Sequence, residues 1–114
     1  LIKNTSKLKE EIIESSNTLE KLLKINVRHF AFSYGNYKSM NNVSLKVAFK
    51  KHNFVYSCLR GNNFYNKEDN LIKRDTVYLD SSNDLLKIFL SGLIDFEYFF
   101  QLKKLNNKII KMKL

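Results

Sequence analysis

The sequence predicts an α/β chain, on three observations. Apolar residues recur at helical spacing over residues 5–24, short aromatic and β-branched runs stand at 27–32 and 54–59, and an amphipathic stretch at 40–51 separates those two runs. Strand, helix and strand in that order form a βαβ unit, which requires a right-handed crossover and parallel strands. The predicted order along the chain is helix, strand, helix, strand, strand, helix, helix.

Residues 5–24 form a helix. Leu8, Ile12, Leu19, Leu22 and Leu23 are its expected buried stripe, and Lys9, Glu10, Glu11, Glu14, Glu20, Lys21 and Lys24 its solvent face. The hydroxyl of Thr5 or Ser6 can cap its start. Residues 27–32 read as a short buried strand running into the loop Ser33-Tyr34-Gly35-Asn36. In the helix over 40–51, Val43, Val47, Ala48 and Phe49 lie opposite Lys46, Lys50 and Lys51. Residues 54–59 make the second strand and hold Cys58, the sole cysteine, expected as a buried small side chain. One cysteine excludes an internal disulfide and any multi-cysteine metal site. A polar loop follows over 60–70, with Gly61 and four Asn. Residues 71–79 are a third extended segment. Ser81 or Ser82 can cap a helix over 84–90 that Gly92 ends, and 96–114 is a helical tail.

At 114 residues the chain has material for one core, and its 44% hydrophobic content excludes general disorder. Its formal charge of +9 points toward an anionic partner. Seventeen of the cations are Lys and three are Arg, however, fourteen residues are Asn, and Pro and Trp are absent. That is the residue bias of an AT-rich genome, which raises charge without a ligand selecting it. The chain opens on Leu1 rather than Met, as a piece of a longer protein would. It shows no signal peptide and no apolar run of about 20 residues, an expectation of cytoplasmic location if the amino end is complete.

Several chemistries are excluded. Three glycines cannot make a dinucleotide fingerprint or a phosphate loop, and neither Ser33 nor Ser57 has the flanking glycines of a nucleophile elbow. His29 and His52 lack a ligating neighbour three or four positions away, so no metal ligands are read from this chain. In the tail, Lys103, Lys104, Lys108, Lys111 and Lys113 interleave with Leu102, Leu105, Ile109, Ile110 and Met112. Such a basic amphipathic helix can lie on an anionic membrane, or it can pack its apolar face on the domain and leave its lysines in water. Nucleic acid is set aside as a partner, because the Phe residues sit in strands that need a core. The site expected on physical grounds is the loop after the first strand, since ligands of α/β folds sit at the carboxyl ends of parallel strands. There Tyr34-Gly35-Asn36-Tyr37 offers close backbone approach and flat rings for a sugar, or is simply a strand-exit turn.

The order of residues resembles a family. Glu10-Glu11-Ile12-Ile13-Glu14-Ser15-Ser16, Leu19-Glu20 and Val27-Arg28-His29-Phe30-Ala31-Phe32-Ser33-Tyr34-Gly35 are similar to the polysaccharide deacetylases of the chitooligosaccharide deacetylase (NodB-homology) type, in which an E-I-x-x-S helix leads to a strand ending F-A-Y-P-Y-G. Ile72-Lys73-Arg74-Asp75-Thr76-Val77 and Phe89-Leu90-Ser91-Gly92-Leu93 resemble the family's later stretches. The resemblance covers about residues 1 to 100 and implies a partial distorted (β/α) barrel whose amino-terminal strands are missing. Residues 1–93 would be the carboxyl-terminal part of the deacetylase domain and 94–114 a basic amphipathic helix.

The implied chemistry is metal-assisted removal of N-acetyl or O-acetyl groups from carbohydrate, with zinc held by an Asp and two His. The Tyr34 backbone N–H would help to bind the oxyanion, Arg74 would orient polar groups, and Tyr34, Gly35 and Tyr37 would contact the substrate. The family's T-F-D-D-G and H-[ST]-x-x-H-P segments are absent, so base and metal ligands are expected upstream and the chain alone is expected to be inactive. Phe32 and Ser33 stand where the family has Tyr and Pro, so the loop lacks proline's fixed φ. Two alternatives are a non-catalytic carbohydrate-binding or interaction remnant and a small basic protein associated with membrane or nucleic acid.

Overall fold

The computed structural model describes residues 5–63 and 70–113. Its first element is one long helix with an interruption. Between α1 (Thr5–Lys9) and α2 (Ser15–Leu23) lies a π-helical turn, Glu10–Glu14, closed by the Ser15 N–H on the Glu10 carbonyl. Thr5 and Ser6 already lie within α1. A π turn closes its hydrogen bonds one residue later than an α turn, so the side chains beyond it are displaced by one position, about 100° around the axis. The inward line becomes Leu8, Ile12, Ser16 and Glu20. This corrects the expected stripe: Leu19, Leu22 and Leu23 are turned outward and exposed.

The inward polar residues have partners on α3 (Asn42–Lys51) and its carboxyl end. Glu20 pairs with Lys51 at 2.6 Å and accepts from the Val27 N–H at 3.0 Å. The hydrogen bond to Lys51, then that to Val27, holds the Glu20 carboxyl below its ordinary pKa. His52 is buried, its ring stacked on Phe30 at 5.1 Å between centroids. Its Nδ1 lies 3.1 Å from the Ala48 carbonyl, which can only accept, so the neutral ring keeps its proton there; Nε2 lies 2.8 Å from the Ser16 hydroxyl, whose one proton is shared between that nitrogen and the Ile12 carbonyl, also at 2.8 Å. Burial pushes the His52 pKa below the ordinary histidine value.

Helix α3 starts at a capping box. Asn41 Oδ1 accepts from the Ser44 N–H at 2.8 Å, and the Ser44 hydroxyl oxygen accepts from the Asn41 N–H at 3.1 Å. Its inward residues are Ser44, Leu45, Val47 and Ala48, whereas Val43 faces outward.

The strands are shorter than the apolar runs suggest. β1 (His29–Ala31), β2 (Phe54–Tyr56) and β3 (Leu71–Ile72) form a parallel sheet in the order β1-β2-β3, with Phe30 opposite Val55 and Val55 opposite Leu71. The βαβ order is as expected, but β1 is not buried: His29 and Ala31 are exposed. Beyond Ile72 one further bond, from the Arg74 N–H to the Leu59 carbonyl at 3.2 Å, reaches across, and the third extended segment is only two residues of strand. Cys58 lies past the end of β2 at a bend, half-buried rather than enclosed in a strand. Most of the expected polar loop, 64–69, lies outside the described residues.

One core joins these elements. Leu8, Ile12, Phe32, Met40, Leu45, Ala48, Val55, Leu59 and Leu71 meet Leu105 and Ile109 of α5 (Phe99–Lys113). Helix α4 (Asn83–Ser91) is capped by Ser82, whose hydroxyl accepts from the Leu85 N–H, and it stops at Gly92 with φ 72°. No α4 side chain is buried. The 3-10 turn Asp95–Tyr98 joins α4 to α5. Arg60 ties this region to the sheet: it pairs with Asp75, and its guanidinium lies 4.2 Å from the Phe89 ring centroid and 5.8 Å from that of Tyr98. No described helix is long and apolar enough to cross a membrane.

Candidate functional site

The backbone at the exit of β1 is held in a sharp turn. Tyr34 has φ 61°, a left-handed conformation that costs a non-glycine residue about 1–2 kcal/mol. Gly35 follows with φ 35°, and its carbonyl accepts from the Cys58 N–H at 2.7 Å. A Cβ at position 35 would lie 2.5 Å from the Cys58 nitrogen and 2.9 Å from the Ser57 carbonyl carbon, so only glycine lets the two strand exits touch. The turn is then closed by Ser39, whose N–H donates to the Asn36 side chain at 2.9 Å and whose hydroxyl donates to the Asn36 carbonyl at 2.9 Å.

This geometry presents Tyr34 outward, 87% exposed. Among the described residues no hydrogen bond takes up its N–H. Beside it is a cleft of about 490 Å³ between the first helix and the free edge of β1. Leu8, Ile12, Phe30 and Phe32 make its apolar wall, and Glu11, Ser33, Ser39 and Asn41 bring polar groups to it. A flat exposed ring, a free backbone donor and a mixed lining can hold a ring-shaped polar ligand such as a sugar.

The expected site residues do not all converge. Tyr34 and Gly35 share the turn, but Tyr37 is turned away to α5, where the Lys108 ammonium sits 3.8 Å from its ring centroid. Arg74 lies on the opposite sheet face. Its Nε donates to the Ser57 carbonyl at 3.0 Å, its Nη2 reaches Cys58 Sγ at 3.4 Å, and its guanidinium lies 5.6 Å from the Tyr56 ring centroid. With His29, Tyr56 and Ala31 it borders a groove of about 330 Å³. His29 belongs to this groove, its Nδ1 2.8 Å from the Tyr56 hydroxyl and its ring stacked on Phe54 at 5.0 Å. Sequence reasoning did not single out Glu11, Asn41 or Tyr56 for a site. Asn41 had a local signal in its three-residue spacing from Ser44; Glu11 and Tyr56 had none, since their place depends on helix rotation and strand register.

Among the described residues no three His, Cys, Asp or Glu side chains lie together as a metal-binding group. The described residues supply no ligand set for the zinc that the resemblance implies, and no step is derived through it. The chain matches no protein-family model, and no curated protein or solved structure is significantly similar to it.

Proposed function

We propose that this chain is the carboxyl-terminal part of a polysaccharide deacetylase of the chitooligosaccharide type, a hydrolase of acetyl groups on sugars, and that its contribution is the carbohydrate-contacting loop. The observation that carries the reading is the Tyr34-Gly35 turn at the carboxyl end of a parallel strand, with a free backbone N–H next to an exposed aromatic ring. A backbone donor held rigidly at such a point suits the oxygen that becomes negative when an acetyl carbonyl is attacked, because no reorganisation is needed as the charge develops. The Tyr34 ring would pack on a sugar face, and Asn41 and Ser39 at the cleft would accept or donate to its hydroxyls. Arg74, fixed by the Ser57 carbonyl, would place its own positive charge on the open sheet face to orient polar groups there. The parts of the reaction that need a base and metal ligands would come from chain preceding residue 1.

The open geometry of the sheet supports this reading. Parallel sheets are ordinarily covered on both faces, yet here the face bearing His29, Ala31, Phe54 and Tyr56 has no helix packed on it among the described residues, and β1 is an edge. Both features suit a sheet that continues into further strands.

The second reading, a non-catalytic carbohydrate-binding remnant, is favoured by the same exposed Tyr34 beside the cleft. One titration tests what the two share. Adding chitopentaose to the ¹⁵N-labelled chain should shift the Tyr34, Gly35 and Asn41 amides, and Tyr34→Gly, which keeps the N–H and removes the ring, should weaken binding about tenfold. Shifts absent from this loop would overturn both. Acetate release by the 114-residue chain alone would contradict the claim that its catalytic apparatus is incomplete.

A further inference from the structure

The turning-away of Tyr37 creates a second groove, of about 240 Å³, bounded by Tyr37, Asn42, Lys104, Asn107, Lys108 and Lys111. The three lysines occupy positions i, i+4 and i+7 of α5 and so form one stripe along the helix. Lys108 is held in place, its Nζ donating to the Met40 carbonyl at 3.1 Å while it lies over the Tyr37 ring. The ion pairs among the described residues join Glu20 to Lys51, Asp75 to Arg60 and Asp84 to Lys87, and none of them neutralises a lysine of this groove. Like charges at this helical spacing repel. An anion seated between them would turn that repulsion into attraction, with the carboxamides of Asn42 and Asn107 as neutral donors at the rim.

We propose that this groove binds a tetrahedral oxyanion, phosphate or sulfate, either free or carried as an ester. The choice follows from the cations present. An ammonium is a compact point charge with three donors and serves dispersed phosphate oxygens from several directions, whereas a planar carboxylate is matched best by the fork of an arginine. No arginine lines the groove. The groove shares no lining residue with the Tyr34 cleft, and its occupancy does not depend on any carbohydrate chemistry there.

The test is a titration of the ¹⁵N-labelled chain with sodium phosphate, ionic strength held constant with sodium chloride. The amides of Asn42, Asn107 and Lys108 should shift and saturate. The double variant Lys104→Gln/Lys111→Gln, whose two side chains are exposed, should keep the fold and bind phosphate at least about tenfold more weakly. Shifts no larger than chloride alone produces, shifts spread equally over Lys9, Lys46 and Lys50, or affinity unchanged in the double variant would each overturn the site. Sedimentation with phosphatidylcholine vesicles containing phosphatidic acid separates the sources. Binding that the double variant abolishes supports a lipid-borne phosphate, phosphate binding without sedimentation supports a free or sugar-borne one, and sedimentation that the double variant retains counts against the groove.

Discussion

At the scale of single residues, Gly35 and Tyr34 decide the shape of the proposed sugar site, and they pull in opposite energetic directions. Gly35→Ala places a methyl group 2.5 Å from a backbone nitrogen at a positive φ, so we expect a loss of at least about 2 kcal/mol, read by urea denaturation. Tyr34→Gly should instead stabilise the chain by up to about 1 kcal/mol, because glycine adopts φ 61° without strain, offset in part by a more flexible unfolded chain. His52 sets the response to acid. Its folded pKa is lowered from 6.5, so the unfolded chain takes up the proton first, and stability that is full above pH 6.5 declines as pH falls toward the folded value. Glu20, lowered from 4.5, adds a second loss as pH falls below 4.5. A melting-temperature profile should therefore drop in two stages on acidification, and His52→Gln should remove the upper one. An upper stage that persists in that variant would assign it to another group.

At the scale of elements, the two carboxyl-terminal helices differ in what they hold. Leu105 of α5 is fully buried, and Leu105→Ala should cost about 2–5 kcal/mol; Leu90 of α4 is 89% exposed, and Leu90→Ala should stay within about 0.5 kcal/mol. Equal effects in denaturant titrations would contradict the placement of the core. Much of this level was legible in the sequence. The βαβ order followed from the alternation of apolar runs with an amphipathic stretch, and the stop at Gly92 from its freedom to adopt φ 72°. The π turn was not legible, because Glu10-Glu11-Ile12-Ile13-Glu14 contains nothing that distinguishes it from an α turn. That one displaced residue is why Glu20, not Leu19 or Leu23, meets α3. Strand lengths were overread for a related reason. Val27 and Leu59 have strand-forming side chains, but a strand extends only as far as its neighbour does, and the neighbour is not written in the local sequence.

At the scale of the whole molecule, the charge and the open sheet acquire specific meanings. The tail's apolar residues Leu105 and Ile109 are spent in the core, while Lys104, Lys108 and Lys111 line one groove with Tyr37. Of the candidate sugar site, the turn at Tyr34-Gly35 was legible, because glycine after a strand marks it; the separation of Tyr37 was not, since it follows from contact with a helix some seventy residues later, as the bond from Lys108 to Met40 illustrates. The sheet's bare face and its edge strand are the features that the proposed assignment must explain by further strands. The most direct measurement is acetate release from chitopentaose, in the presence of zinc, by the protein translated from the reading frame extended upstream of the Leu1 codon. The account predicts an in-frame Asp-Asp pair and a His-x-x-x-His motif there, and release that is lost when that upstream portion is removed. A frame without those motifs, whose product releases no acetate, would contradict it.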